Sequence, residues 1–113
     1  MLITEVLRND KDCTLSLTCE GHAGEAGSVE CAAASILACT VAQIVEASYR
    51  HGDLLYPPTV KLENGEAHIK CMCCKEEYGE LARAFFFAHT GFHLLAFKYP
   101  DKVSVNPFED NGE

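Results

Sequence analysis

The stretch that decides the fold is residues 13–49, CTLSLTCEGHAGEAGSVECAAASILACTVAQIVEASY. Its first seven residues alternate between apolar and hydroxyl-bearing side chains, and this period of two is typical of a half-buried strand. A loop with three glycines follows at residues 21–27. Ser28 is a residue type that favours the N-cap of a helix, and the good helix formers after it predict a helix over residues 29–49. The stretch therefore predicts a strand, a loop and a mostly apolar helix in succession. On this helix one apolar stripe is traced by Ala33, Leu37, Val41, Ile44 and Ser48 and widened by Ala32, Ile36 and Val45.

The segments on either side predict more strands and a second helix. Asn64-Gly65 is a strong signal for a tight turn, and the alternation on both sides of it fits a hairpin. The predicted elements are strands at residues 2–8, 13–19, 59–62, 67–71 and 103–105, and helices at residues 29–49 and 75–97. The periodicity of the second helix predicts a core face formed by Leu81, Phe85, Ala88 and Phe92. Their order, ββαββαβ, predicts an α+β fold in two layers, with a mostly antiparallel sheet and two helices on one face. We assign residues 1–106 to this single domain and residues 107–113 to an acidic flexible tail.

Composition and charge narrow the function classes. The chain has 113 residues, of which 48% are apolar, enough for one domain with a hydrophobic core. Its formal net charge of −8 argues against direct binding to nucleic-acid phosphates and is compatible with a basic peptide as partner. Seven cysteines, an odd number, and an N-terminus without signal-peptide features predict free thiols in a cytoplasmic protein. No apolar run approaches the ~20 residues of a membrane span, so no membrane partner is expected.

Cys31 and His22 are the candidate catalytic residues. If Ser28 caps the helix, Cys31 is the third helical residue, where the positive end of the helix dipole favours a thiolate. His22 lies nine residues earlier, a separation that allows the loop to bring its imidazole within hydrogen-bond reach of the thiol. A thiol beside an imidazole at a helix start is the minimum apparatus for acyl transfer. Loop amides near Gly24, Gly27 and Ser28 could hold the oxyanion of the intermediate.

Spacing alone leaves both residues with ordinary structural interpretations, since a lone cysteine in an alanine-rich helix is more often a packing residue. However, Gly-His-Ala, a short glycine-bearing loop and Cys-Ala-Ala-Ala-Ser on a helix together resemble the signature of the ribosomal-processing cysteine protease family, the bacterial Prp family. The closing segment Tyr-Pro-Asp-Lys-Val at residues 99–103 resembles that family as well. The resemblance extends over almost the whole chain in length and in the order of strands and helices.

The resemblance implies a homodimeric α+β enzyme that works without a cofactor. Members of the family remove the N-terminal extension of a large-subunit ribosomal protein, the one numbered twenty-seven, before ribosome assembly. The implied partner is therefore a ribosomal protein precursor, bound as a peptide substrate. The catalytic histidine of the family falls on His22 and its catalytic cysteine on Cys31.

Two departures from the family pattern keep an alternative function open. Ser28 stands where the family usually has an aspartate, three residues before the nucleophile. Serine preserves helix capping but removes a carboxylate that could orient His22 or bind a basic residue. The loop between His22 and Cys31 is also shorter than is common. The alternative is a non-catalytic ribosome-associated or assembly module in which the dyad is a relic.

A second alternative is a small thiol-binding or metal-binding protein that uses Cys71, Cys73 and Cys74, with His68 three residues upstream of the first. Structural zinc sites usually draw on two separated pairs of ligands. On a strand, Cys71 and Cys73 share one face, whereas His68 and Cys74 point to the other. The sequence therefore favours a pair of core thiols over a metal site.

The second predicted helix carries two further signals. His89 and His93 are four residues apart and could chelate one ion, but no carboxylate or cysteine is obviously near, which favours surface or interface histidines. The three consecutive phenylalanines at residues 85–87 cannot all face one side of a helix. This excess of aromatic surface favours a dimer interface over a cofactor pocket.

Overall fold

The structure, a computed structural model, describes residues 1–110. The elements in chain order are β1 (Leu2–Asn9), β2 (Thr14–Glu20), α1 (Val29–His51), β3 (Thr59–Glu63), β4 (Glu66–Met72), α2 (Lys75–Lys98), β5 (Val103–Val105) and β6 (Glu109–Asp110). The predicted order of strands and helices is confirmed, and most predicted ends lie within two residues of the observed ones. The short β6 was not predicted from the sequence.

The sheet has the strand order β3-β4-β2-β1-β5, and β6 pairs with β1 beyond this path. The pairs β1–β2, β2–β4 and β3–β4 are antiparallel, whereas β5 and β6 run parallel to β1. The prediction of a mostly antiparallel sheet is therefore confirmed. Strand β2 lies between β1 and β4, and the loop at its end leaves from the middle of the sheet.

The core lies between one face of the sheet and the two helices. The alternation of β2 places Leu15, Leu17 and Cys19 in this core, as predicted from the sequence. The predicted core face of α2 is confirmed as well: Leu81, Phe85, Ala88 and Phe92 are all buried. Burying this many aliphatic and aromatic side chains, at ~1.5–3 kcal/mol each, is the main favourable term in folding.

The apolar stripe predicted for α1 is confirmed in part, since Val41 and Val45 are buried as predicted. The buried apolar residues of α1 are Ala38, Val41, Ala42 and Val45, whereas Ile36 and Ile44 are exposed. The sequence predicted Ile44 in the stripe because the helix is apolar on nearly every side.

Within residues 1–110, α1 is the single helix that is long and apolar enough to cross a membrane. The core helix of a soluble domain meets the same criterion, and α1 packs against α2.

The chain continues along the sheet after β5. Glu109–Asp110 pair in parallel with Leu7 and Arg8 of β1, and Phe108 packs against the core. The acidic flexible tail predicted for residues 107–113 falls partly on residues 111–113, which lie outside the described part of the chain. That prediction and the domain end at residue 106 stay predictions.

Candidate active site

The N-terminus of α1 is capped by Ser28, as the sequence predicts. The Ser28 backbone is extended, and its side-chain oxygen accepts a hydrogen bond of 3.2 Å from the backbone N–H of Cys31. This bond satisfies one of the four N–H groups that a helix start leaves without an intrahelical partner. Cys31 therefore lies in the first turn of a helix of 23 residues, beside the positive end of its dipole. The thiol is partly exposed.

His22 lies just after β2, and the turn of the β3–β4 hairpin supports it. The N–H of Gly21 donates a 2.9 Å hydrogen bond to the Gly65 carbonyl, which ties the start of the loop to that turn. The imidazole then rests against the backbone of Gly65, where an added Cβ would lie only 2.9 Å from His22 Nε2. Gly65 has φ +80°, a left-handed conformation that glycine adopts at little cost. The His22 ring therefore packs on the Gly65 backbone, in space that a side chain at position 65 would occupy.

One cavity of about 190 Å³ brings the two candidate catalytic residues together. His22 and Cys31 both line it. The remaining walls come from the N-terminal half of α1, the strand ends at Leu2 and Cys19, Gly21 and Ala23 beside His22, and the β3–β4 hairpin over residues 62–67. Cys19 has a thiol whose pKa burial raises to about 12, so that thiol is neutral at physiological pH. The lining is mainly apolar at its base and polar at the hairpin rim.

The residues predicted to hold the oxyanion, Gly24, Gly27 and Ser28, are not among those that line this cavity, although Gly21 and Ala23 of the same loop are. Gly24 and Gly27 both have positive φ, near +90°, which fits the sharp path of the loop. Gly24 faces the side chains of Glu30 and Ser28. Within residues 1–110, the cavity wall includes neither of these two glycines nor Ser28. An oxyanion role for these residues stays a prediction, whereas the capping role of Ser28 is observed.

A buried carboxylate lies directly before the candidate nucleophile. Glu30 is only 5% exposed, and its Oε2 accepts a 2.8 Å hydrogen bond from Lys102 Nζ. This hydrogen bond is the main reason that the pKa of Glu30 falls to about 2, with smaller contributions from its own backbone N–H and the Ser28 hydroxyl. The same partner raises the pKa of Lys102. Both side chains are therefore charged over the whole physiological range.

The rim of the cavity carries two further carboxylates on the β3–β4 hairpin. Glu63 and Glu66 line the cavity, and both pair with Lys61, at 3.5 Å and 3.1 Å. The hydrogen bond from Lys61 is the main cause of the lowered pKa of Glu66, and one from His68 adds to it. The rim is acidic, but one ammonium group compensates part of its charge.

Several solved structures share this fold. One is the essential ribosomal processing protease Prp from S. aureus with a covalently linked product peptide, with a TM-score of 0.67, 20% identity, and 94% of this chain and 98% of that chain covered. The chain has the fold of Prp. A second structure of that S. aureus protease holds a substrate peptide and gives a TM-score of 0.63 at 17% identity over the same shares. SMU.848 from Streptococcus mutans gives a TM-score of 0.63 at 21% identity, covering 96% of this chain and 94% of that one.

The predicted resemblance to Prp is confirmed at the level of the fold. No family model matches this chain, and no curated protein matches it in sequence. At identities near 20%, these comparisons establish the shared architecture alone.

The cysteines near the end of β4 do not form a ligand set with His68. Cys71 Sγ and Cys73 Sγ lie 3.9 Å apart in the core, and the hydrogen bond between them raises the pKa of Cys73. Cys74 Sγ donates instead to the Gly52 carbonyl, and His68 bonds Glu66 on the other face of the sheet. Among residues 1–110, the sole cluster of three potential metal ligands is Glu20, Glu66 and His68. The core thiol pair favoured by the sequence is what the structure shows.

The histidines of α2 differ from each other. The predicted surface or interface position fits His93, which is exposed, but is wrong for His89, which is only 6% exposed. The rings of His89 and His93 meet edge to face with centroids 4.6 Å apart, and Phe86 and Phe108 also contact His89. Burial, and then the neighbouring His93, lowers the pKa of His89. His89 is therefore a neutral core residue at pH 7.

Sequence reasoning missed the hairpin and the ion pair as parts of the site. Asn64-Gly65 identified a turn, but nothing in the linear sequence places that turn against His22. A charged residue early in a helix is ordinarily solvated, so the sequence does not predict that Glu30 is buried. Its partner, Lys102, lies 72 residues away. The one signal in the sequence for a special role of Glu30 is that it is an acidic residue in an otherwise apolar first turn.

Proposed function

We propose that this protein is a cytoplasmic cysteine endopeptidase in which Cys31 is the nucleophile and His22 the general base. The observation that carries the proposal is the convergence of these two side chains on one cavity, with Cys31 held in the first turn of a capped helix. A helix N-terminus stabilises a thiolate, and a nearby imidazole can take and return the proton. A nucleophile, a base and a concave site are the elements of acyl transfer.

The proposed reaction has two halves. The Cys31 thiolate attacks the carbonyl carbon of the scissile peptide bond and forms a C–S bond, while backbone N–H groups of the 21–28 loop stabilise the oxyanion. The imidazolium of His22 gives its proton to the leaving amine as the C–N bond breaks. His22 then takes a proton from water, whose oxygen attacks the thioester and releases the acid and the Cys31 thiolate.

We propose as substrate the precursor of the large-subunit ribosomal protein numbered twenty-seven, cleaved after its N-terminal extension. The support is the fold shared with S. aureus Prp, a ribosomal processing protease whose structures hold a substrate peptide and a product peptide. The net charge of −8 and the acidic rim at Glu63 and Glu66 suit an extended basic peptide. The seven free thiols suit a reducing cytoplasm.

The test is cleavage of that precursor from the same organism by the purified protein. Wild type should release the extension, and Cys31→Ser and His22→Ala should each lower the rate by at least a hundredfold. Cys39→Ser is the matched control, because Cys39 lies on α1 and lines the same cavity farther from the helix start. Equal activity of wild type and Cys31→Ser would exclude the proposed nucleophile. Inactive wild type with the precursor left intact would favour the non-catalytic assembly module.

We also propose a homodimer that uses the exposed aromatic face of α2. Phe87 is 66% exposed and Phe97 is 88% exposed, while Leu94 between them is 68% exposed. Large apolar side chains exposed together on one helix are a feature of protein–protein interfaces. Sedimentation velocity should give a dimer for wild type and a monomer for Phe87→Glu, and a monomeric wild type at high micromolar concentration would refute this part.

A further inference from the structure

Glu30 is the buried charged residue nearest in sequence to the proposed nucleophile. Buried carboxylates are rare because removing the charge from water is costly unless a partner compensates it. Here Lys102 supplies the compensation through a 2.8 Å bond, and the Glu30 side chain is only 7% exposed. The pair joins the start of α1 to the segment before β5, two regions that are far apart in the chain.

The lysine is anchored on the sheet rather than on a free loop. Its carbonyl accepts a 2.9 Å hydrogen bond from the N–H of Leu2, and the next residue, Val103, pairs with Leu2 in the β1–β5 ladder. Its own N–H donates to the Tyr99 carbonyl. The ammonium therefore extends from a fixed backbone, and the position of Glu30 is set by the edge of the sheet.

The loop that carries His22 lies directly on the Glu30 side chain. A Cβ added at Gly24 would lie 3.0 Å from Glu30 Cγ and 3.2 Å from Ser28 Oγ, so the backbone of Gly24 is in close contact with both. Ser28 in turn accepts the hydrogen bond from the Cys31 N–H. The Glu30 side chain thus supports the loop between the proposed base and the proposed nucleophile.

The charge of Glu30 has a second consequence. Glu30 and Cys31 are consecutive residues of the first turn of α1, so the charge of Glu30 is placed in the same helical turn as the thiol. An uncompensated carboxylate there would disfavour the thiolate, since like charges oppose ionisation. Lys102 compensates the charge of Glu30 through their ion pair.

We infer that Glu30 and Lys102 are positioning residues of the proposed protease: their ion pair fixes the 21–28 loop against the sheet and keeps the buried carboxylate from opposing the Cys31 thiolate. This inference rests on the proposed function, because it assigns a role to the two residues in that reaction. Glu25 and Tyr99 are the other titratable groups that interact with Lys102, and His22 shares the cavity with Cys31.

The test combines alkylation of Cys31, which needs no substrate, with precursor cleavage. The rate of Cys31 labelling by iodoacetamide is measured against pH for wild type, Lys102→Met and Glu30→Gln. Lys102→Met should label about three- to tenfold more slowly at pH 7, with its profile moved to higher pH. Glu30→Gln removes the carboxylate but keeps the cation and should label faster than wild type. Opposite signs in the two variants are the signature of charge compensation, which a purely structural contact does not produce.

Cleavage reports the positioning role. Both variants should lose about tenfold in kcat with a smaller change in KM, because the loop is no longer held in place. Lys102→Arg should recover most of the wild-type rate, since a guanidinium can still pair with the carboxylate. Lys98→Met controls for net charge, as Lys98 is an exposed lysine of the last turn of α2. Circular dichroism and urea unfolding confirm that each variant is folded before its rates are compared.

The outcomes separate this inference from the proposed function. Equal alkylation profiles in wild type, Lys102→Met and Glu30→Gln, or shifts of the same sign in both variants, overturn the charge role. Unchanged kcat in both variants overturns the positioning role. If wild type labels selectively at Cys31 but leaves the precursor intact, the substrate assignment fails, while the labelling profiles still decide whether the ion pair controls Cys31. If Glu30→Gln unfolds, Lys102→Arg against Lys102→Met decides the same question.

Discussion

Replacing Gly65 by alanine should damage the site far more than the fold. Gly65 has φ +80°, and the new Cβ would lie 2.9 Å from His22 Nε2 and 3.2 Å from His22 Cε1. Carbon and nitrogen atoms in good contact stand about 3.5–4.0 Å apart, so the ring has to retreat by roughly half an ångström or more. Because His22 is exposed, its ring can swing away toward solvent at little cost in stability.

Gly65→Ala should lower the cleavage rate more than it lowers the stability of the fold. A left-handed conformation costs a non-glycine residue roughly 1–2 kcal/mol, so the free energy of unfolding should fall by about that amount. Displacing a catalytic base by about 1 Å can cost up to a hundredfold in rate. We therefore expect kcat/KM for the precursor to fall by about ten- to a hundredfold, well beyond what a small loss of stability explains.

Gly52→Ala is the matched control. Gly52 has φ +89° at the end of α1, so alanine there meets the same backbone strain, but nothing lies within 4 Å of its added Cβ. Urea unfolding should give similar losses of stability for the two variants, and precursor cleavage should separate them. If Gly65→Ala and Gly52→Ala cleave equally fast, the imidazole does not act from its position against Gly65 and the reasoning fails.

Three further results are expected. Phe85→Ala should lower the free energy of unfolding by about 3–5 kcal/mol, because Phe85 is fully buried, whereas Leu55→Ala at a 56% exposed position should stay within about 0.5 kcal/mol in the same urea titration. Burial holds the pKa of His89 below its unfolded value, so the stability that the neutral ring contributes is present above about pH 6.5 and is lost as pH falls. His89→Leu should therefore reduce the change in the urea midpoint between pH 7 and pH 5. An unchanged dependence of the midpoint on pH would contradict this. Mass spectrometry after brief iodoacetamide treatment at pH 7 should find Cys31 labelled before Cys39, although Cys39 is the more exposed thiol; the reverse order would contradict activation at the helix start.

Local patterns were enough to predict the elements of the fold. The alternation in β2, the turn signal at Asn64-Gly65 and the period of α2 each depend on residues close together in the chain, and each prediction is confirmed. The buried stripe of α1 was predicted only in part, because apolar residues surround that helix and periodicity does not distinguish its buried face. The two-residue β6 carries too few residues for any pattern to predict it.

The site was only half predictable for a related reason. Capping by Ser28 is a contact between residues three apart, and the sequence predicts it correctly. The contact between Gly65 and His22 and the bond between Glu30 and Lys102 join distant segments, and their register depends on the assembled sheet. A charged residue in a first turn is ordinarily solvated, and the burial of Glu30 depends on Lys102, which only the folded chain brings close.

Burial and helix position distinguish Cys31, the proposed nucleophile, from the other two thiols that line the cavity, Cys19 and Cys39. Cys19, Cys71 and Cys73 are buried, and the pKa of Cys19 and of Cys73 is raised. Cys39 lines the cavity, but it lies more than two turns into α1, beyond the reach of the helix-terminal dipole. Cys31 alone, among the cysteines that line the cavity, combines partial exposure with the first turn of the helix. A nucleophile needs both, because exposure admits the substrate and the helix start favours the thiolate that attacks it.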